Sequence, residues 1–262
     1  MSLVRLGAVG YLNARPLVFG LERRRDLFDV RLDVPSTCAT LLHANEIDVG
    51  MIPSIEYQRG PVPYRIVPGV GIVSDGPVAS VAVFARVPLD RVRRLALDTS
   101  SRTSAGLTQV LCREAWGIDP AFEALPPDPD AMFDRCEAAL IIGDPALFLD
   151  AAARGLTKID LGEAWTGFTG LPFVWAVWAG RPDVLSAEGV RVLQAAPARG
   201  VAAAARLAAD WCGPERADAG ARYLRENIKY GLGTRERAGL ERYYELAAKH
   251  GLIERPHAVE FY

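Results

Sequence analysis

The sequence predicts an α/β protein of two lobes with a ligand cleft between them. Three observations carry that expectation. Strand-like and helix-like stretches alternate from the N-terminus, as in parallel sheets covered by helices. Two long apolar stretches, residues 65–86 and 171–182, separate one such alternating block from another and from a helical C-terminal third. Polar turns follow the strands of both blocks, and in open α/β sheets ligands bind outside the carboxyl ends of strands.

Taken in order, "VRLGAV" (4–9) reads as a strand and residues 14–24 as a helix with Pro16 in its first turn. "FDVRLDVP" (28–35) alternates like a strand, residues 36–45 form a helix capped by Ser36 or Thr37, and "IDVGMI" (47–52) is a buried strand. "RIVPGVGIVS" (65–74) and "VASVAVFAR" (78–86) are long strands joined by Asp75-Gly76-Pro77. "RRLALD" (93–98) is a strand and residues 99–117 a helix ended by Gly117, with Leu107, Val110, Leu111 and Ala115 on one face. "LPPDPD" (125–130) is a loop, "EAALIIG" (137–143) an apolar strand and "LPFVWAVWAGRP" (171–182) a long aromatic one. Helices are expected over 187–211, 214–229 and 234–250, and in the last Leu240, Tyr243, Tyr244 and Ala247 form a stripe read as core. "VASVAVFAR" would then carry the chain from lobe one to lobe two, and "FVWAVWAGR" would return it. The expected limits are 1–84 with 176–262 for lobe one and 85–175 for lobe two.

Composition narrows the function. The 262 residues carry a net charge of −2, half are hydrophobic and 24% are charged, an ordinary globular balance without the basic block that nucleic acid would call for. No apolar run reaches the roughly 18 residues of a spanning helix, so no membrane partner is expected. The N-terminus runs straight into a strand without a leader-like pattern, and Cys38, Cys112, Cys136 and Cys212 are scattered without CxxC pairing. A cytoplasmic protein with buried thiols is the expectation. His43, His250 and His257 are the only histidines and lack metal-ligand spacing, so neither a His-based metal site nor a Ser-His-Asp triad is expected. Neither GxGxxG nor GxxxxGK[ST] occurs, which disfavours a nucleotide.

Four turns are expected to share one crevice: Gly10 to Asn13, Pro53 to Tyr57, Thr99 to Ser104, and Gly143 to Pro145. Several open helices, whose N-terminal N–H groups favour an anion. Each also has a plainer reading. Asn13, Ser54, Thr103, Ser104 and Asp144 are ordinary residues for helix starts, Arg102 is an ordinary solvated charge, and Glu56 is read as pointing outward from its helix. Together the turns suggest a small carboxylate.

"GYLNARPL" (10–17), "IDVGMIPSIEY" (47–57), "GPVASVAVFA" (76–85), "SSRTS" (100–104) and "IIGD" (141–144) are ordered motifs spread through most of residues 3–180. Together they resemble the chorismate dehydratases of the futalosine route to menaquinone, a branch of the periplasmic-binding-protein-like type II fold. The sister 1,4-dihydroxy-6-naphthoate synthases carry "SPCPNDTF" near the N-terminus, where this chain has "GYLNARPL". No cleft turn here holds a His to match that sister family's catalytic one. The resemblance implies two lobes joined by two crossover strands, and loss of water from chorismate, a dicarboxylate, to give 3-[(1-carboxyvinyl)oxy]benzoate. It implies no obligatory metal or organic cofactor, because aromatisation supplies the driving force. It also implies catalytic roles for Asn13 and Asp144, the latter near the departing hydroxyl. Substrate contacts are implied for Tyr11, Ser54, Ile55, Ser80, Ser101, Thr103, Ser104 and Gly143. The proton acceptor is left open between a protein group and a substrate carboxylate. A solute receptor of the same fold that binds a carboxylate without chemistry is the alternative from another class, and the sister 1,4-dihydroxy-6-naphthoate synthase activity is the second alternative. Oligomeric state is not legible.

Overall fold

The computed structural model describes residues 3–262. Ten strands form two five-stranded sheets. The first contains β1 (Val4–Val9), β2 (Phe28–Asp33), β3 (Val49–Pro53), β4 (Arg65–Ser74) and β10 (Phe173–Gly180), in the order β2-β1-β3-β10-β4. The second contains β5 (Val81–Ala85), β6 (Arg94–Asp98), β7 (Ala121–Leu125), β8 (Ala138–Ile142) and β9 (Thr157–Asp160), in the order β7-β6-β8-β5-β9. The two orders follow one plan. In each sheet four strands share one direction, and the strand arriving from the other half of the chain, β10 or β5, inserts antiparallel between the third and fourth of them.

Helices cover the sheets. α1 (Pro35–His43) and α2 (Ser54–Gln58) flank β3; α3 (Arg102–Glu114), α4 (Pro129–Arg135), α5 (Gly143–Phe148) and α6 (Leu161–Thr169) belong with the second sheet. α7 (Ala187–Ala202), α8 (Ala204–Cys212), α9 (Ala217–Glu226) and α10 (Thr234–Lys249) follow β10. α7 packs on β4 and α10 on β10, so the C-terminal third lies on the first lobe. The α10 stripe is core: Leu240, Tyr243, Tyr244 and Ala247 are all buried. Tyr243 meets Trp165 and Phe173 edge to face, which ties α6, β10 and α10 together beneath the cleft.

Several expectations change. The helix expected over 14–24 is two 3-10 turns, Leu12–Val18 and Leu21–Arg23, separated by Gly20 in the left-handed region (φ 81°). The first turn lies so close against α7 that a Cβ on Gly200 would run into the backbone of Pro16. The long helix expected over 187–211 divides at Ala203 into α7 and α8. The strand expected over 78–86 shortens to β5, all of which pairs within the second sheet. Sheet membership thus changes between Ser74 and Val81 and again between Asp160 and Phe173. Both changes come ahead of the expected limits at 84/85 and 175/176, which fall inside β5 and β10. The crossings are made by the Asp75–Ser80 turn region and by α6, and each long strand stays in its own sheet. No helix among the described residues is long and apolar enough to cross a membrane.

Candidate active site between the lobes

The turn after β1 supplies one wall. Tyr11 is extended (φ −117°) and opens the 3-10 turn without a side-chain cap. Asn13 is therefore not the helix cap that its local sequence suggests. Its backbone carbonyl accepts from Tyr230 Oη at 2.9 Å, while its side-chain Oδ1 is buried without a hydrogen-bond partner among the described residues. A buried amide oxygen left so costs free energy unless something donates to it.

The turn after β6 supplies the opposite wall. Ser101 caps α3, its Oγ accepting from Ser104 N at 3.4 Å and lying 2.8 Å from Ser104 Oγ. Beneath it Asp98 accepts from Ser100 N at 2.7 Å and Ser100 Oγ at 2.6 Å, with its other oxygen unpartnered. Burial pushes the Asp98 carboxyl above the usual carboxylate range, because a charge there loses its hydration. Burial also raises the Tyr11 phenol, which a hydrogen bond with the Ser100 side chain opposes.

The turn after β8 closes the third side. Gly143 adopts φ 68°, and a Cβ there would lie 3.2 Å from the Tyr11 ring, so both backbone and space call for glycine. Tyr11, Asn13, Ser101, Ser104 and Gly143 meet around one cavity of about 40 Å³, with Ile72, Val78, Val81 and Trp175 as its apolar lining. That space is sized for water rather than for a larger ligand.

Residues 4–249 match the family model described as menaquinone biosynthesis. The chain belongs to the menaquinone-biosynthesis family. A relative from Thermus thermophilus named chorismate dehydratase is 31% identical over 193 residues, covering 68% of this chain and 70% of that protein. Among solved structures, protein AF1704 from Archaeoglobus fulgidus is 21% identical with a TM-score of 0.75, over 95% of this chain and 98% of that one. The alkanesulfonate-binding protein SsuA from Xanthomonas axonopodis pv. citri, bound to MOPS, is 16% identical with a TM-score of 0.72, over 97% and 95% of the two chains. These likenesses show the two-lobed periplasmic-binding-protein-like fold.

In this member of the menaquinone-biosynthesis family, five residues expected at the ligand are absent from the cavity lining. Ser54 Oγ donates to Val174 O at 2.7 Å, Ile55 N donates to Thr103 Oγ1 at 3.1 Å, and Tyr243 Oη donates to Thr103 O at 3.0 Å. Ser54, Ile55 and Thr103 thus form a sealed seam joining α2, α3 and β10 beside the cavity. Asp144 stands apart from the lining as well. Its Oδ1 accepts from Leu12 N at 3.2 Å and its Oδ2 from Trp211 Nε1 at 2.7 Å, which makes it a clasp between α5 and the first lobe. Ser80 is buried and accepts from Tyr223 Oη at 2.6 Å.

Sequence reading missed Asp98, Trp175, Trp211, Tyr223 and Tyr230. Asp98 ends "LALD" beside the turn that was singled out, so its place at a strand end was the available signal. Tyr223 lies on α9 and Trp211 on α8, and nothing local connects either to a turn 67 or more residues away. Among the described residues no group of three or more His, Cys, Asp or Glu side chains could hold a metal ion.

Proposed function

We propose that this menaquinone-biosynthesis protein is a chorismate dehydratase, a carbon-oxygen lyase that converts chorismate to 3-[(1-carboxyvinyl)oxy]benzoate and water. The observation that carries the reading is the buried, unpartnered Asn13 Oδ1 facing the serine-capped start of α3 across one closable cavity. Family membership and the name of the Thermus relative support it. Chorismate brings two carboxylates. The hydroxyls of Ser101 and Ser104, with the N-terminal N–H groups of α3, take one of them. Trp175, Val78 and Ile72 face the ring. Asn13 bonds the reacting region through an amide that can both accept and donate.

The reaction removes the ring proton beside the enolpyruvyl ether and expels the neighbouring hydroxyl; together they leave as water and the ring becomes aromatic. Among the described residues no carboxylate side chain lines the cavity, and both oxygens of Asp144 are engaged outside it. A carboxylate of the substrate itself is therefore the acceptor the geometry favours, with the protein contributing orientation and a dry enclosure. Purified protein is incubated with chorismate in EDTA without added nucleotide, and in parallel with the cyclic futalosine derivative of the sister synthase. Appearance of the enolpyruvyl benzoate in the first reaction alone is expected. Turnover of only the second substrate overturns the reading in favour of the sister activity. Binding of chorismate without turnover favours a receptor.

A further inference from the structure

Glu56 lies on α2, expected to face outward, yet it is 2% exposed and bonded on both oxygens. Arg59 Nη1 donates to Oε1 at 3.0 Å and Arg102 Nη1 donates to Oε2 at 2.5 Å. Arg102 Nη2 continues to Thr40 Oγ1 at 3.0 Å, and His43 Nδ1 lies 3.9 Å from Glu56 Oε2. Three helices meet at this one carboxylate: α1 and α2 beside the first sheet, and α3 after β6 of the second.

Two features of the knot run against simple stability. Arg102 is the first residue of α3, where a cation opposes the helix dipole. Burying Glu56 strips a carboxylate of water, a cost that replacement by apolar side chains would avoid. What the arrangement achieves is placement. Arg102 stands between Ser101, which caps α3, and Thr103, which accepts from Ile55 N. Ser36 N also donates to Ser100 O at 3.1 Å, so α1 grips the same turn from its other end. One carboxylate against two guanidiniums leaves the Glu56 cluster itself net positive.

We propose that Glu56 is a positioning residue for binding of the anionic substrate. Through Arg102 it holds the start of α3, and with it Ser101 and Ser104, against the first lobe, without touching the ligand. The proposal rests on the chorismate reading for its substrate but not for its geometry, and the test reads the two separately.

Three variants, Glu56→Gln, Arg102→Met and the double, are compared with the wild type by steady-state kinetics on chorismate and by amide hydrogen exchange over residues 101–106. Each single change is expected to raise KM about tenfold with kcat within about twofold, the pattern of lost binding common to ground and transition states. The double should be no worse than the more affected single, because both remove one interaction. Exchange over 101–106 should quicken in both singles. A merely structural role would lower the active fraction, and with it kcat, while leaving KM unchanged. Native KM together with native exchange in either folded single overturns the proposal, as does an additive double. Should Glu56→Gln not fold, Arg102→Met, at the half-exposed end of the pair, decides alone. A wild type inert on chorismate, with exchange still quickened in the variants, overturns the chorismate reading and leaves the positioning role standing.

Discussion

The turns after β1 and β3 leave adjacent strands of one sheet in the same direction, and both look like ligand-facing polar turns. The structure treats them oppositely. At the first, Asn13 keeps a buried oxygen without a partner on the cavity wall. At the second, Ser54 donates to Val174 O, accepts from Tyr244 Oη through its carbonyl, and has no place on the lining. A strand-end position nominates a residue. Whether its hydrogen bonds are already satisfied inside the protein decides whether it is available to a ligand.

The sharpest test of that difference is Asn13→Ala. Turnover of chorismate should fall about a hundredfold or more, the scale of one lost preorganised hydrogen-bonding group at a reacting centre. Stability should stay within about 1 kcal/mol, since the change removes an unsatisfied acceptor. Kinetics and thermal melting on one preparation check both; a large loss of stability with native turnover of the folded fraction would place Asn13 on the structural side.

Ser104→Ala extends the test to the other wall. A hydroxyl bonding a substrate carboxylate is worth about 1.5–3 kcal/mol, so KM should rise about 10-fold to 100-fold. An unchanged dissociation constant for chorismate would mean that the α3 serines only cap the helix.

Ser54→Ala should show the converse. Val174 O loses its donor inside the seam, and stability should fall by about 1–3 kcal/mol in denaturant titration. Turnover per folded molecule should stay within about twofold. A selective loss of substrate affinity in a fully stable variant would return Ser54 to the site.

The smallest effects are in pH. Burial lowers the pKa of His43 from its ordinary 6.5, so below that value the unfolded chain takes up a proton that the folded one resists. Its part of the stability should fall as pH drops through and below 6.5, and His43→Asn should flatten that limb. Asp98 has the opposite sign. Burial raises its pKa above 3.8, so the folded state holds a proton that the unfolded chain releases, and stability should fall as pH rises just above that value. Asp98→Asn should remove this limb. Stability profiles of the two variants against the wild type check both slopes.

Local chemistry determined much of this protein. Apolar runs with polar turns at their ends located the central strands of both sheets, because burial on two faces demands continuous apolar side chains whatever the partner strand. The α10 stripe declared itself core through helical spacing alone. The turns 10–13, 99–104 and 143–145 were legible as the cleft because parallel sheets put ligands at strand ends. Less was legible where the chain depends on a local breaker or an exposed edge: Gly20 separates an expected helix into two 3-10 turns, and β7 and β9, edge strands open to solvent, carry no continuous apolar run.

What tertiary structure alone decided is which polar groups are spent. Asp144 is committed to Leu12 and Trp211, Ser80 to Tyr223, and Glu56 to Arg102, partners 132, 67, 143 and 46 residues away. A side chain's chemistry is written at its own position, but its free hydrogen-bonding capacity is a remainder left after every distant partner has been placed. In this protein that remainder includes one buried amide oxygen, on Asn13, in the wall of the cleft.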